Sequence, residues 1–501
     1  MNKSISRKLR RSKQKIKKRL NKRNWEDQPN PMLSGSNIRY DIDGRHSGTS
    51  KGGIGVIHQL VKKLGLEKHI NESIPLLKRH LPYFESDHVL NVAYSILAGG
   101  TRLEDIELLR NDKAWLDALG AKIIPDPTTA GDFARRFDQE AIIELMEAKN
   151  RIRASVWQQQ PKSFRKEAII NVDGTICETF GECKFGMNIS YNGKWGYHPL
   201  IVSLANTREP LYIVNRPANA PSHLDCAQWI DKSLDLVGTR FDKVFLRGDT
   251  DFSLTEHFDE WDRRCTFVIG VDAMPNLVKI ADGIDEAQWE ELDRKPKYEV
   301  KTKKRERPVN VKEQIVKERG FRNVKTIAEH IAEFAYRPGK CKKEYRMVVL
   351  RKTLKVLQGE LELFDEIRYF FYITNERKES VQEVIRFYFG RADHENDIEQ
   401  LKNGVKALQA PSNTLESNWA YMVIASLAWD LKAWYGLLLP YRHLGLRIVR
   451  MEFKRFINTF INIPCLIVRT GRRILYRIVG YNESLKHILD FSETLRNFSF
   501  P

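Results

Sequence analysis

Residues 388–402, YFGRADHENDIEQLK, combine types and spacings that can do chemistry. Arg391, Glu395, Ile398 and Lys402 recur at steps of four, three and four. On a helix they share one face. A carboxylate between two cations suits a place where a metal meets a phosphate backbone. The acid holds Mg²⁺, and the Arg and Lys hold phosphate oxygens. The same spacing also makes an ordinary surface helix with i,i+4 ion pairs such as Arg391–Glu395. Two more acids bear on the choice. Asp173 follows the apolar run Ala168–Val172, and Asp249 follows Val244-Phe245-Leu246 by way of Arg247-Gly248. Residues just past the carboxyl ends of strands in an open sheet gather at one edge. Asp173 and Asp249 can therefore join Glu395 as three metal ligands, although Asp-Gly is also a common turn former.

The elements that must position these acids are legible in outline. From Lys166 the chain reads as three strands, a helix, a strand, a helix and a further strand, which makes a mixed α/β sheet. Lys184–Tyr191 and Tyr197–Leu204 alternate as strands around an Asn192-Gly193 turn. A helix runs from Ser222 through Leu236, and Cys265–Val271 is the last strand of the set. Residues 388–402 read as one long helix, backed by the apolar helix Asn418–Leu439. Before this core, residues 53–157 are mostly helical. Their last helix carries Arg135 and Arg136 and is a candidate helix-turn-helix reader or a plain scaffold. Ala332–Tyr336, Tyr345–Arg351, Glu360–Phe364 and Tyr369–Thr374 make a β-rich insertion behind the basic run Lys301–Arg307. The expected segments are 1–52 (basic arm and linker), 53–157 (helical, DNA-binding), 158–272 (first part of the core), 273–380 (insertion), 381–440 (second part of the core) and 441–501 (basic).

Charge narrows the class of partner. The 501 residues include 83 Lys+Arg against 65 Asp+Glu, a net charge of +18. That balance favours a polyanion, most simply nucleic acid. Residues 1–25 hold twelve Lys or Arg and no acid, and such a block is expected to stay disordered until it meets an anion. Hydrophobic residues at 42% exclude a wholly disordered chain. Six scattered cysteines form no C-x-x-C pair, which argues against a zinc site and for reduced thiols. The apolar run 419–441 contains Asp430 and Lys432 and reads as buried rather than membrane-spanning.

Three blocks then align: INVDGT at 170–175, LRGDTDF at 246–252, and the pattern Y-x2-R-x3-E-x6-K on Tyr388, Arg391, Glu395 and Lys402. In these the chain resembles the DDE transposases of bacterial insertion sequences, in the IS4-like group and most closely the IS1380 family. GYHPL at 196–200, RPANAPS at 216–222 and DPTTAGDFARRF at 126–137 also look like that family's blocks. The resemblance runs from about residue 50 to the end. It implies an α/β fold, with an RNase H-like mixed-sheet core, a β-rich insertion and a helical N-terminal domain. It implies that Asp173, Asp249 and Glu395 are the catalytic acids and hold two Mg²⁺ ions, with Mn²⁺ able to substitute. Tyr388, Arg391 and Lys402 would grip the DNA backbone. Asp251 and Glu399 lie close to the chosen acids, but the RGD block and the spacing from Arg391 select Asp249 and Glu395.

The expected partners are double-stranded DNA at terminal inverted repeats and at the target, with a homodimer acting on DNA in the cytoplasm at the nucleoid and no membrane. The expected reaction cuts the element end and joins its 3′-OH to target DNA by two-metal phosphoryl transfer. The rivals are a nuclease with the same core that never joins, and an inactive DNA-binding relic.

Overall fold

The protein is described from a computed structural model covering residues 3–21, 27, 29–44, 46–294, 309–471 and 473–497. Five strands form the core: β1 (Glu167–Gly174), β2 (Leu200–Leu204), β3 (Glu209–Val214), β4 (Lys243–Gly248) and β5 (Thr266–Val271). Their order in the sheet is β3-β2-β1-β4-β5. β1, β2 and β3 pair antiparallel, whereas β1–β4 and β4–β5 pair parallel. The crossover from β3 to β4 is the helix α1 (Cys226–Gly238). This is the RNase H-like arrangement. Parallel strands need covered faces, and the residues of the parallel strand β5 are buried almost without alternation, as are those of the antiparallel β2 and β3.

The sheet does not stop at β5. Three long strands follow: β6 (Arg322–Tyr336), β7 (Tyr345–Gln358) and β8 (Leu361–Thr374). β8 pairs antiparallel with β5, so the β-rich insertion continues the same nine-stranded sheet. Glu360–Phe364 and Tyr369–Thr374, expected as two strands, are one. Gly359, at φ 63°, makes the tight return from β7, and polar residues on the exposed half of β8 had masked its continuity. The basic run Lys301–Arg307 lies outside the described residues.

Two other expectations near the core change. Lys184–Tyr191 is not a core strand. It contributes only Asn188–Ile189 to a small sheet with Cys177–Glu178 and Trp195–Tyr197. The third core strand is instead β3. Residues 388–402 are also not one helix. The helix α2 (Val381–Phe389) ends at Gly390, α3 (Ala392–Glu399) restarts after Arg391, and Gln400–Gly404 widens into a π turn.

Residues 53–157 are helical, as read, but they do not pack as a separate core. One cluster of buried apolar side chains runs from Ile54 to Leu495. Its spine is α4 (Leu415–Leu438), buried along nearly its whole length, against which helices Glu85–Leu97 and Gln139–Gln158 and strand β3 all pack. Arg135 is tied down by Asp132 and donates to Asn413 Oδ1 at 3.3 Å. Strand Ser47–Thr49, in the expected linker, pairs with Cys465–Thr470 of the C-terminal region. Lys3–Asn21 of the expected disordered arm is a helix. Ile5, Leu9, Ile16 and Leu20 give it an apolar stripe, and Leu9 packs against the core. Among the described residues no helix is long and apolar enough to cross a membrane. All six cysteines are free thiols.

A buried charge network holds α4 in place. Arg153 Nε lies 3.0 Å from Glu209 Oε1, and its Nη2 lies 2.8 Å from Asp430 Oδ1. Lys149 Nζ is 2.9 Å from Asp430 Oδ2, and Trp157 and Trp434 donate to Glu209 at 3.1 and 2.8 Å. Arg153, Glu209 and Asp430 are fully buried. Removing one member of such a network strands a charge without solvent, which costs about 3 to 5 kcal/mol. Arg153→Met is therefore expected to lower the unfolding free energy measured by urea titration by about 3 to 5 kcal/mol, seen as a lower midpoint. An unchanged midpoint would show that the two carboxylates need no counter-charge.

Candidate active site

The parallel register sets the first two acids. Asn171 on β1 stands opposite Arg247 on β4. Asp173 and Asp249 each lie two residues farther on, so both leave the sheet at the same end. Asp173 is the penultimate residue of β1 and accepts from the Gly174 N–H at 2.8 Å. Asp249 begins a short 3₁₀ turn and accepts from the Asp251 N–H at 3.1 Å. They line one cavity of about 580 Å³ with Asp251, His198, Ser222 and Lys402.

The third acid arrives on α3. The buried side of this helix carries His394, Asp397, Ile398 and Leu401. His394 Nδ1 meets Ser203 Oγ on β2 at 3.0 Å, and Asp397 lies 3.5 Å from Arg208 Nε. With that face anchored, Arg391 and Glu395 turn toward the strand ends. Arg391 Nη1 is 2.9 Å from Asp173 Oδ2 and 3.7 Å from Asp249 Oδ2, while its Nη2 is 3.8 Å from Glu395 Oε1. One guanidinium thus contacts all three acids. Glu395 sits at the rim, with its side chain 66% exposed. Lys402 Nζ donates to Thr175 Oγ1 at 2.9 Å on the other side of Asp173. Tyr388 is half-buried, its ring 4.4 Å from that of Tyr372. Its hydroxyl lies behind Asp249, where a Cβ on Gly270 would come within 3.1 Å of it and 3.0 Å of the Thr250 nitrogen. The structure therefore lines one cavity with Asp173, Asp249 and Lys402, sets Arg391 against both aspartates with Glu395 beside it, and places Tyr388 behind Asp249.

Arg247, in the LRGDTDF block, ties strands β1 and β4 to the helix α2. Its Nε donates to Asn171 Oδ1 at 2.9 Å and its Nη1 to the Phe387 carbonyl at 2.8 Å. It thereby takes the carbonyl that Arg391 N–H would use in a continuous helix, and Arg391 N–H goes instead to Tyr388. A Cβ on Gly390 would lie 2.3 Å from Arg247 Nη1, so any other residue there would push the guanidinium out of this position. Its inward position in a two-residue strand period, next to Asp249, was the available signal.

The electrostatics are strained in one direction. Burial, followed by the charge of Asp249, pushes the Asp173 carboxyl up from its usual 3.8 to about 7, against the pull of Arg391. Burial also raises Asp249, which Arg391 again opposes. Two hard carboxylates at one sheet edge, held above their ordinary range, fit a divalent cation better than they fit each other. Among the described residues no three acids, histidines or cysteines stand in metal-holding geometry, and Glu395 lies at the rim.

The family described as transposase DDE domain group 1 matches residues 30–498. No curated protein matches the chain. Among solved structures it is similar to piggyBac transposase, in a cryo-EM structure of its synaptic complex with hairpin DNA. The identity is 10% and the TM-score 0.35, over 83% of each chain.

The raised Asp173 carboxyl makes stability depend on pH in the metal-free protein. Below its unfolded value of 3.8 the group is neutral in both states. As pH rises toward about 7 the unfolded chain ionises first, so stability falls across that window. Asp173→Asn is expected to melt about 2 °C or more above the unsubstituted protein near pH ~8, with the gap closing near pH ~4. A variant that melts lower near pH ~8 would show that the ion pair to Arg391 outweighs burial.

Proposed function

The chain belongs to the transposase DDE domain group 1 family, and on that premise we propose that it cuts DNA at the ends of an insertion sequence and joins the freed 3′-OH to target DNA. The observation that carries this reading is the convergence of Asp173 and Asp249, by strand register, with Glu395 around Arg391. The GYHPL, RPANAPS and Tyr388–Lys402 blocks favour the IS1380 group within the family.

Asp173, Asp249 and Glu395 would hold the divalent metal, two Mg²⁺ ions with Mn²⁺ able to replace them. When bound, these ions supply Lewis acidity and an activated water to in-line displacement at phosphorus. Arg391 and Lys402 flank the acids and neutralise charge on the phosphate through directed donors. Tyr388, behind Asp249, would join them in gripping the DNA backbone. The basic helix Lys3–Asn21 and the basic C-terminal segment supply salt-dependent affinity for the DNA backbone. Two DNA ends in one reaction call for a homodimer acting at the bacterial nucleoid.

The test is a plasmid carrying the gene with its own flanking DNA, incubated with purified protein and Mg²⁺. Discrete cuts at a pair of inverted repeats, with joined products, are expected. Glu395→Gln should slow cutting about 100-fold or more while leaving DNA binding intact. Cuts without joined products would make the protein a nuclease, and binding without cuts would make it a relic.

A further inference from the structure

Two sequence blocks take no part in the acid set, GYHPL at 196–200 and RPANAPS at 216–222. They meet in the wall of the acid cavity. The His198 N–H donates to the Arg216 carbonyl at 2.7 Å, and Arg216 Nε donates back to the His198 carbonyl at 3.1 Å. Arg216 Nη1 donates to the carbonyls of Pro221, Ser222 and Leu224 at 3.3, 2.9 and 3.0 Å. One buried guanidinium thus pins the loop 217–224 against the turn that holds His198. In that loop the Ala220 carbonyl lies 2.9 Å from His198 Nδ1. A carbonyl only accepts, so Nδ1 carries the proton and Nε2 keeps its lone pair.

His198 is 8% exposed, and its Nε2 has no hydrogen-bond partner among the described residues. Nε2 approaches the end of β1 so closely that a Cβ on Gly174 would stand 2.5 Å from it. Glycine beside Asp173 is thereby explained by this ring. The ring lines the same cavity as Asp173, Asp249, Asp251, Ser222 and Lys402. Burial lowers its basicity and keeps it neutral, so the lone pair is available near pH ~7. A ring that only filled space and braced Ala220 would account for Nδ1. It would not account for an unpartnered acceptor held against the strand end in the wall of the cavity that Asp173 and Asp249 line.

We propose that His198 is a further residue of this reaction, its Nε2 accepting a hydrogen bond from the hydroxyl that attacks the scissile phosphate. The hydroxyl is water in cutting and the 3′-OH in joining, and the bond aims its other lone pair at phosphorus. In cutting, the water O–P bond forms as the P–O3′ bond breaks. The freed 3′ oxygen gains a proton, and the attacking water loses one to solvent. In joining, the 3′ oxygen forms the new bond to phosphorus as the target P–O3′ bond breaks; the 3′-OH gives its proton to solvent, and the leaving target 3′ oxygen takes one up. The assignment rests on the transposase reading.

Two substitutions separate the roles of the two ring nitrogens. His198→Asn keeps a donor for Ala220 but places no acceptor where Nε2 stood. His198→Gln reaches that place with an amide oxygen but abandons Ala220. Single-turnover cutting is followed on the flanking-DNA plasmid at saturating protein with Mg²⁺, beside the unsubstituted protein and Glu395→Gln. His198→Asn is expected to cut about 10- to 100-fold slower, with unchanged plasmid affinity and melting temperature, and His198→Gln to cut faster than His198→Asn. A bracing role predicts the reverse order. That reverse order, or an Asn variant cutting at the normal rate, overturns the assignment while leaving the transposase reading intact. If the unsubstituted protein does not cut, the transposase reading falls and this assignment falls with it.

Discussion

The pairing of β1 with β4, locked by Arg247, is the constraint on which the site depends. Register alone brings Asp173 and Asp249 to one edge of the sheet. Arg247 then ties that register to the third acid, because the guanidinium that bonds Asn171 also bonds the Phe387 carbonyl at the end of α2. Burial pushes Arg247 down to about 10, still cationic at neutral pH, and its Cζ lies 5.0 Å from the centre of the Phe387 ring. A neutral residue of similar size could fill the space but could not hold strand and helix by the same two donors. The break at Gly390 follows from this clamp, and it sets the angle at which α3 presents Arg391 and Glu395.

The opposite face of α3 shows how a polar helix is kept against a sheet. His394 is buried, and its pKa is pushed down to about 3, chiefly by burial and then by Arg391 and Arg247, so it sits there neutral. Asp397 is pushed up to about 7 by burial, against the pull of Arg208 and Lys432. Both groups avoid placing a full charge in a dry interior, and both still anchor the helix. The acid edge is different. There burial and like charge raise two carboxyls together, with Arg391 as the nearby counter-charge. Folding energy is stored in the same groups whose chemistry the proposed reaction needs.

Much of this was legible in the chain, and the failures share a cause. Strand-end acids and the Arg391–Glu395–Lys402 face are local patterns, set by short periodicities and chain breaks, so sequence spacing located them. The break at Gly390 was not legible, because Arg247 creates it from more than a hundred residues away. Strand β3 was missed since Glu209 and Pro210 begin it, and Glu209 is tolerated there only because Arg153 and two tryptophans reach it. Exposed polar residues on β8 concealed one strand as two. His198 and Arg216 were visible as blocks, but their meeting at the cavity wall is a tertiary contact. The charge of Lys3–Asn21 conceals an apolar stripe that supports a helix, with Leu9 packed against the core.

The pairing of Ser47–Thr49 with Cys465–Ile467 has a consequence in time. Lys51 Nζ reaches Asn462 Oδ1 at 2.9 Å across 411 residues of sequence, and the N–H of Gly52 bonds the Ile463 carbonyl at 2.9 Å. At about 5 to 20 residues per second of synthesis, the early strand waits roughly 20 to 80 seconds for its partner to be made. Contacts of such span also slow folding itself. Helix Ile54–Lys63 waits as well, since Leu485–Asn497 packs against it. A gene copy interrupted shortly before its end therefore encodes a chain whose opening segment has nothing to close against.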